Sequence, residues 1–300
     1  MSKLLVSAII ATYERDEWLA RAVNSVLSQE FPGELEVIVV NDNGEPLKYA
    51  PWQDDPRVTV ITTQRVNRCF AWNTAASISR GDYIHILGDD DMLLPGAYAA
   101  LVQAAGETGA AWVYGWQECM DDAGNLLYTV KPVRRGKLFA VALAGGNIPL
   151  QASLVSRAAF FNVGGIDARF VTLEDLELFK RITMSYTVES VARTVARIRV
   201  GPQGATTTKW AVAKEMGRMA RELAFADPRC VRCIIESLRE MRDDGIRGKL
   251  VRYYLGSAWR HLLNYSVLTG LSRTGVAAML SLLGLPRTVF FKELFSKGDS

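Results

Sequence analysis

At 300 residues, 49% of them apolar and 22% charged, the chain is too apolar to be disordered and long enough to bury one large core, with or without an appendage. Its net charge of +3 hides a split: residues 209–300 carry 16 Lys/Arg against 9 Asp/Glu, a balance of +7 that leaves residues 1–208 at −4. Four scattered cysteines exclude a disulfide scaffold, and no run reaches the roughly 18 apolar residues of a membrane-spanning helix.

Residues 4–11 are a continuous β-favouring apolar run of the kind buried in a parallel sheet. With no basic leader or cleavage signal ahead of it, the expectation is a cytoplasmic protein. Thr12-Tyr13-Glu14-Arg15 leaves the strand, and Asp16 is placed to cap a helix whose apolar face is Leu19, Val23, Val26 and Leu27. A second strand over 35–40 ends in the turn sequence Asn41-Asp42-Asn43-Gly44, a third spans 57–62, and 71–79 reads as a helix. Residues 82–87 then form a buried strand ending at Gly88. Asp89-Asp90-Asp91 follow, and a helix runs from Pro95 to about 107. Three adjacent carboxylates repel one another, so they call for a cation among them or a well-solvated loop. Their hard oxygens favour magnesium, manganese or calcium over zinc.

Residues 110–117 read as a strand, 119–128 as a hairpin around Asp122-Ala123-Gly124-Asn125, 136–145 as a helix, and 151–156 as a short strand. Val163-Gly164-Gly165-Ile166-Asp167 is a tight turn. Glu174-Asp175 opens an amphipathic helix bearing Leu176, Phe179 and Ile182, where two acids suit the helix dipole as well as they would suit catalysis. Strands alternating with helices predict an α/β fold with a mostly parallel sheet, whose ligands bind beyond the carboxyl ends of the strands. Asp42 and the 89–91 cluster both fall at such ends.

From 208 onward the pattern is helical only, over 210–225, 228–242, 246–269 and 273–283. The leucine-rich and aromatic stretch 251–295, with Arg252, Arg260, Arg273, Arg287 and Lys292 spaced through it, suits packing on the first domain, oligomerisation, or contact with an anionic membrane surface. Cys230 and Cys233 form a C-x-x-C that no second pair or neighbouring His completes as a zinc site, and His85, inside an apolar strand, reads as a core or supporting residue.

Taken in order, residues 6–15, 39–44, 67–73, 81–84, 87–91, 163–167 and the pair Glu174-Asp175 carry a resemblance that covers residues 4–205: the chain resembles the inverting family 2 glycosyltransferases of the GT-A fold. The resemblance implies a GT-A type nucleotide-sugar-binding domain over 1–207, with helices flanking a mostly parallel central sheet, and an all-α region over 208–300. It also implies roles. Thr12 and Tyr13, with Glu14 and Arg15 beside them, look like donor-pocket residues. Asp42 matches the acid that receives the N–H of uracil, an edge thymine shares and cytosine lacks. Asp90 matches the metal-binding carboxylate of the family's D-x-D element, with Asp89 suited to the ribose or metal-bound water and Asp91 to fixing the loop. The family's usual first aspartate falls at Gly88. Asp175 matches the catalytic base, next to Glu174. Asn73 matches the Asn of the donor segment, but Trp72 stands where many members have Arg, so Arg68 or Arg65 is left to supply the positive charge.

The implied reaction is transfer of a sugar from a nucleoside diphosphate, UDP first, to a hydroxyl of a glycan or lipid-linked acceptor, with Mn²⁺ or Mg²⁺ as cofactor. The His that some members place after the base is not evident at 200–204. A haloacid-dehalogenase-like phosphotransferase would use Asp89 and Asp91, but it expects the motif after the leading strand and a hydroxyl at Met92. A non-catalytic scaffold of a polysaccharide-assembly complex is the other alternative. Nucleic-acid binding is disfavoured, since the basic residues of the tail are interleaved with acids. The expected location is the cytoplasm, at the inner face of the membrane if the tail touches it.

Overall fold

Apolar runs and turn residues divide the chain much as their periodicity requires. The structure, a computed structural model, describes residues 3–64, 67–146, 148–201, 210–241, 244–263 and 267–283. The first run forms β1 (Leu5–Thr12), followed by α1 (Asp16–Leu27), β2 (Glu34–Asn41), β3 (Val58–Thr62), α2 (Arg68–Ile78) and β4 (Tyr83–Gly88). Then come β5 (Met92–Leu93), α3 (Ala97–Thr108), β6 (Trp112–Met120), β7 (Leu126–Val130) and α4 (Phe139–Leu143). The remaining elements are β8 (Ser153–Ser156), α5 (Arg157–Asn162), α6 (Glu174–Thr183), β9 (Val188–Arg199), α7 (Trp210–Ala226), α8 (Cys230–Met241), α9 (Asp244–Leu263) and α10 (Val267–Leu282).

The chain divides into two compact units, residues 1–138 with 147–219, and residues 139–146 with 220–300. In the first, one sheet has the order β3-β2-β1-β4-β8-β6-β9-β5, with β7 added on β6. Strands β3, β2, β1 and β4 are parallel, and their register sets Thr12 beside Asn41, Asn41 beside Thr62, and Ala11 beside Gly88. All four carboxyl ends therefore finish on one edge. Val6, Ala8 and Ile10 of β1 pack against Leu19, Val23 and Val26 of α1 in the main core, each Val, Ile and Leu side chain contributing about 1.5–3 kcal/mol by burial. On the far half of the sheet β9 lies parallel to β6 and antiparallel to β5, which aligns Met92 with Arg197.

The second unit is built of helices. Phe139, Val141 and Leu143 of α4 are buried, as are Ile234, Leu250, Tyr254 and Leu280, and the Ala140 N–H donates to Ser237 Oγ at 3.1 Å. Phe225 stacks on Tyr254 with ring centroids 4.1 Å apart. Glu222 gathers Arg260 at 2.7 Å, Arg273 and Ser257, and those donors hold its carboxyl down at about 2 although burial opposes them. No helix of the described residues is long and apolar enough to cross a membrane.

Several boundaries differ from the sequence expectation for physical reasons. Asp16 is the first helical residue rather than the cap; Arg15 holds that position. Only 139–143 of the expected 136–145 helix forms, because Gly136 bridges to Val188 instead. The expected break near 269–273 is absent. Gly270 sits inside α10, where an added Cβ would lie 2.6 Å from Leu262 Cγ, so it is a packing glycine, and Arg273 is buried on Glu222. Arg287 and Lys292 lie outside the described residues. Strand β9 and helix α5 have no counterpart in the sequence reading.

His85 is wholly buried. Its Nε2 faces the Gln151 carbonyl at 2.9 Å and must carry the proton, leaving Nδ1 to accept from Tyr98 Oη at 2.7 Å. Burial pushes its pKa down to about 4 from 6.5. The unfolded chain thus takes up this proton first on acidification. The stabilisation is complete above pH 6.5 and lost as the pH falls through 4, about 3 kcal/mol in all. Urea unfolding across that window should show the slope, and His85→Gln should flatten it; an equal slope in the variant would assign the proton elsewhere.

Candidate active site

Thr12 closes β1, and its Oγ1 donates to Asp89 Oδ2 at 2.8 Å, tying the first strand's end to the acid cluster after β4. The Asp42 N–H donates to the Thr12 carbonyl at 2.9 Å, and Thr63 Oγ1 donates to Asp42 Oδ1 at 2.9 Å, so this buried carboxylate is fixed between β1 and β3. Among the described residues only two non-glycines adopt left-handed backbone, Glu14 (φ +55°) and Leu173 (φ +60°). Each costs on the order of 1 kcal/mol, and each adjoins an expected site segment, Tyr13 and Arg15 in one case, Glu174-Asp175 in the other.

The aspartate cluster is held by two arginines. Arg15 Nη1 reaches Asp89 Oδ1 at 3.2 Å and Asp90 Oδ2 at 2.9 Å, and Arg199 Nη2 meets the same Asp90 oxygen at 2.9 Å. Arg199 also binds Asp122 at 2.7 Å, its guanidinium lies 4.5 Å from the Trp18 ring centroid, and its Nε is buried without a hydrogen-bond partner. Asp91 turns inward. Its Oδ1 accepts the Arg199 N–H at 2.9 Å, and burial, with Asp90 adding to it, pushes the carboxyl up to about 8. Burial likewise raises Asp89, with Thr12 and Arg15 opposing.

A second group forms on the same edge, because α2 starts just after β3 ends. Arg68 Nη2 pairs with Glu174 Oε1 at 2.5 Å, and its guanidinium lies 5.5 Å from the buried Trp72 ring. Glu174 is buried, its Oε2 has no hydrogen-bond partner, and burial raises its pKa while Arg68 opposes and Asp175 adds. Asn73 spends both ends of its amide on Ile166, donating to its carbonyl at 2.8 Å and accepting its N–H at 3.0 Å, and so secures the Gly164-Gly165 turn. Arg65 lies outside the described residues. Asp175 is half-buried in the first turn of α6, with Oδ1 accepting the Leu176 N–H at 2.7 Å.

Sequence reasoning missed Arg199, Asp122 and Trp18. The signal for Arg199 was a strand, β9, whose apolar alternation is broken by Arg193, Arg197 and Arg199. No group of three or more metal-ligating side chains exists among the described residues. The donor set nevertheless fits a hard divalent cation that arrives with a diphosphate. Asp90 commits only Oδ2 to the arginines, leaving Oδ1 without a hydrogen-bond partner among the described residues, and a cavity of about 90 Å³ bordered by Trp18, Asp90, Met92 and Arg199 opens beside it. Magnesium is commonly held by one or two carboxylates plus substrate phosphates rather than by a complete protein cage.

The family model described as Glycosyl transferase family 2 matches residues 7–149. An uncharacterized glycosyltransferase of Methanocaldococcus jannaschii, MJ1057, is 30% identical over 139 residues, covering 44% of this chain and 48% of that protein. The GalNAc(5)-diNAcBac-PP-undecaprenol beta-1,3-glucosyltransferase of Campylobacter jejuni is 33% identical over 128 residues, covering 40% of each. The chain thus spans less than half the length of either relative. Among solved structures, S. aureus TarS 1–349 in complex with UDP-GlcNAc superposes with a TM-score of 0.60 at 12% identity, over 93% of this chain and 91% of that one. That likeness carries the GT-A type fold, a mixed α/β sheet with C-terminal helices.

Gly88 has a steric cause. A Cβ there would lie 2.4 Å from Asp91 Oδ2 and 3.0 Å from its Cγ, and Asp91 cannot yield without releasing Arg199. Gly88→Ala should cost about 1–3 kcal/mol in urea unfolding, and most of that cost should vanish in an Asp91→Ala background. Additive losses in the double-mutant cycle would rule out this contact as the reason for glycine.

Proposed function

Since the chain belongs to glycosyl transferase family 2, we propose that it is an inverting transferase that moves a sugar from a nucleoside diphosphate, UDP first, to a hydroxyl of a glycan or lipid-linked acceptor in cell-surface polysaccharide synthesis. The observation that carries the reading is the bonded set Thr12, Arg15, Asp89, Asp90 and Arg199 at the carboxyl ends of β1, β4 and β9. A phosphotransferase with Asp89 as nucleophile fits poorly, because both of its oxygens are engaged by Thr12 and Arg15.

In this reading residues 1–207 carry the chemistry, and the helical residues 208–300 serve packing, oligomerisation or surface contact. Asp42 accepts the imide N–H of uracil, a donor that cytosine lacks. Tyr13 and Glu14 border the nucleoside, with Trp72 and Arg68 across from them. Arg15 and Arg199 turn from Asp90 toward the diphosphate oxygens, which a planar guanidinium suits. Asp90 would hold a Mn²⁺ or Mg²⁺ that arrives with the diphosphate, and the chemistry it would supply is charge stabilisation of the leaving group. Asp175 takes the proton of the acceptor hydroxyl as its oxygen bonds to C1 from the face opposite the diphosphate. The C1–O bond breaks, its electron pair leaves on the diphosphate, and the configuration at C1 inverts. Glu174, fixed by Arg68, keeps that helix turn in place.

Asp175→Asn should lower transfer by roughly 10²–10⁴-fold while leaving nucleotide binding nearly intact; normal turnover would remove the base assignment. Asp90→Ala should weaken metal-dependent nucleotide binding. In a thermal-shift panel of UDP, dTDP, GDP and CDP with Mn²⁺, stabilisation by the uridine and thymidine nucleotides alone is expected, and a response to CDP alone would overturn the Asp42 assignment.

A further inference from the structure

The cavity beside Asp90 is larger than a cation needs. Its volume of about 90 Å³ has room for roughly six waters, and among the described residues none that was assigned to the nucleoside or to the acceptor base borders it. Its walls come instead from Trp18 and Arg21 on α1, Met92 on β5, the 120–124 turn that joins β6 to β7, and Arg197 with Arg199 at the end of β9. A nucleotide sugar has two ends that meet at the diphosphate. With the nucleoside end on Thr12 and Asp42, the cavity is the space at Asp90 left for the other.

Three guanidinium groups, those of Arg21, Arg197 and Arg199, border it together with three carboxylates, those of Asp90, Asp121 and Asp122, so its charges balance. Asp121 is engaged by Asn125, accepting its backbone N–H at 2.8 Å and its side-chain amide at 3.0 Å, and Asp122 offers Arg199 only Oδ1. Arg197 is hydrogen-bonded through Nε alone, to Glu118 at 2.8 Å. Arg21 pairs with no acid among the described residues and lies 5.0 Å from the Trp18 ring centroid, the same ring that Arg199 approaches at 4.5 Å. The Arg199 side chain is 9% exposed, and its buried Nε has no hydrogen-bond partner. What remains around the cavity is a set of guanidinium N–H donors on Arg21, Arg197 and Arg199 and an acceptor at Asp122 Oδ2, with Met92 and Met120 adding apolar surface.

We propose, resting on the nucleotide-sugar reading above, that this cavity seats the ring of the donor sugar, that the sugar is a neutral hydroxylated pyranose, and that Arg21, Arg197 and Asp122 determine which one is taken. C1 stays at the mouth beside Asp90, where the diphosphate is held, and the ring points its hydroxyls inward. Each hydroxyl both donates and accepts, so it answers a guanidinium N–H and Asp122 Oδ2 alike. A few placed polar groups with apolar surface between them are what orients a small ligand. A carboxylate on the sugar would add a negative charge beside three aspartates and the diphosphate, and an ammonium would face three guanidinium groups. Only an uncharged ring leaves the balance as it stands.

The test is isothermal titration calorimetry of the full chain with Mn²⁺ against UDP, UDP-glucose, UDP-galactose, UDP-N-acetylglucosamine and UDP-glucuronic acid, or the matching thymidine compounds where the nucleotide panel selects thymidine. At least one neutral donor should bind about fivefold or more tightly than the glucuronic acid donor. Ala123 also borders the cavity, so Ala123→Leu narrows it without a change of charge. Arg21→Ala and, separately, Ala123→Leu should each weaken that neutral donor on the order of fivefold to tenfold and leave UDP within about twofold. A glucuronic acid donor that binds as tightly as any neutral one, or a neutral donor untouched by both variants, overturns the proposal while UDP binding leaves the donor reading standing. Equal losses for UDP and for the sugar donor overturn it too, since the cavity would then serve the diphosphate. A chain that binds no nucleoside diphosphate overturns the donor reading, and this proposal with it.

Discussion

Three carboxylates on consecutive residues at a strand end repel one another by about 1 kcal/mol per close pair in water and several times that where water is excluded. The carboxyl edge of this sheet is arranged around relieving that repulsion. Asp91 retreats into the fold and is pushed toward its neutral form, Asp89 takes the hydroxyl of Thr12, and Asp90 takes two guanidinium groups on one oxygen. Each relief draws in a different element. Arg15 comes from the start of α1, Thr12 from β1, and Arg199 from β9, which reaches the cluster because β5, immediately after it, pairs with β9.

Backbone strain is concentrated where the edge is built. Glu14 must turn left-handed for the chain to leave β1 and still present Arg15 to the aspartates, and Leu173 does the same before Glu174 and Asp175. In both places the strain is offset by bonds made directly afterward, those of Arg15 to Asp89 and Asp90 and that of Glu174 to Arg68. The Arg68–Glu174 pair is itself partly buried and stops short of full satisfaction, since Glu174 Oε2 lacks a partner. A buried pair of this kind specifies position more than it adds stability.

Much of the first half of the fold was legible because its strands are short, β-favouring runs, mostly buried apart from β3, and punctuated by Asn, Asp and Gly. Residues 4–11, 35–40, 57–62 and 82–87 all form strands within a residue or two. The helix over 71–79 starts three residues earlier, because the Asn67 side chain caps it by accepting from the Cys69 and Phe70 N–H groups. Strand β9 escaped notice because its burial is irregular and its run holds three arginines, a composition that reads as surface. Arg199 escaped with it. The expected break at 269–273 does not form, and Gly270 within it lies inside a helix, where the absence of a Cβ lets Leu262 approach. The residues that resemblance named around Asp89 and Asp90, Arg15 among them, do come together; what it could not supply was Arg199, because an arginine's partner is chosen by tertiary pairing and not by spacing.

That counter-charge bears on the order of binding in the proposed reaction. With Arg15 and Arg199 both on Asp90 Oδ2, the free protein already balances much of its negative charge. A cation approaching alone finds one free carboxylate oxygen and two guanidinium groups that repel it. A diphosphate changes both terms at once, since it draws the arginines onto its own oxygens and adds ligands for the cation. Affinity of the cation and of the nucleotide must then rise together and by the same factor, because linkage between two sites is reciprocal. In the proposed reaction the arginine pair would have two arrangements, the one observed on Asp90 and one turned to the donor, and the diphosphate would complete a cation site to which the protein brings one available carboxylate.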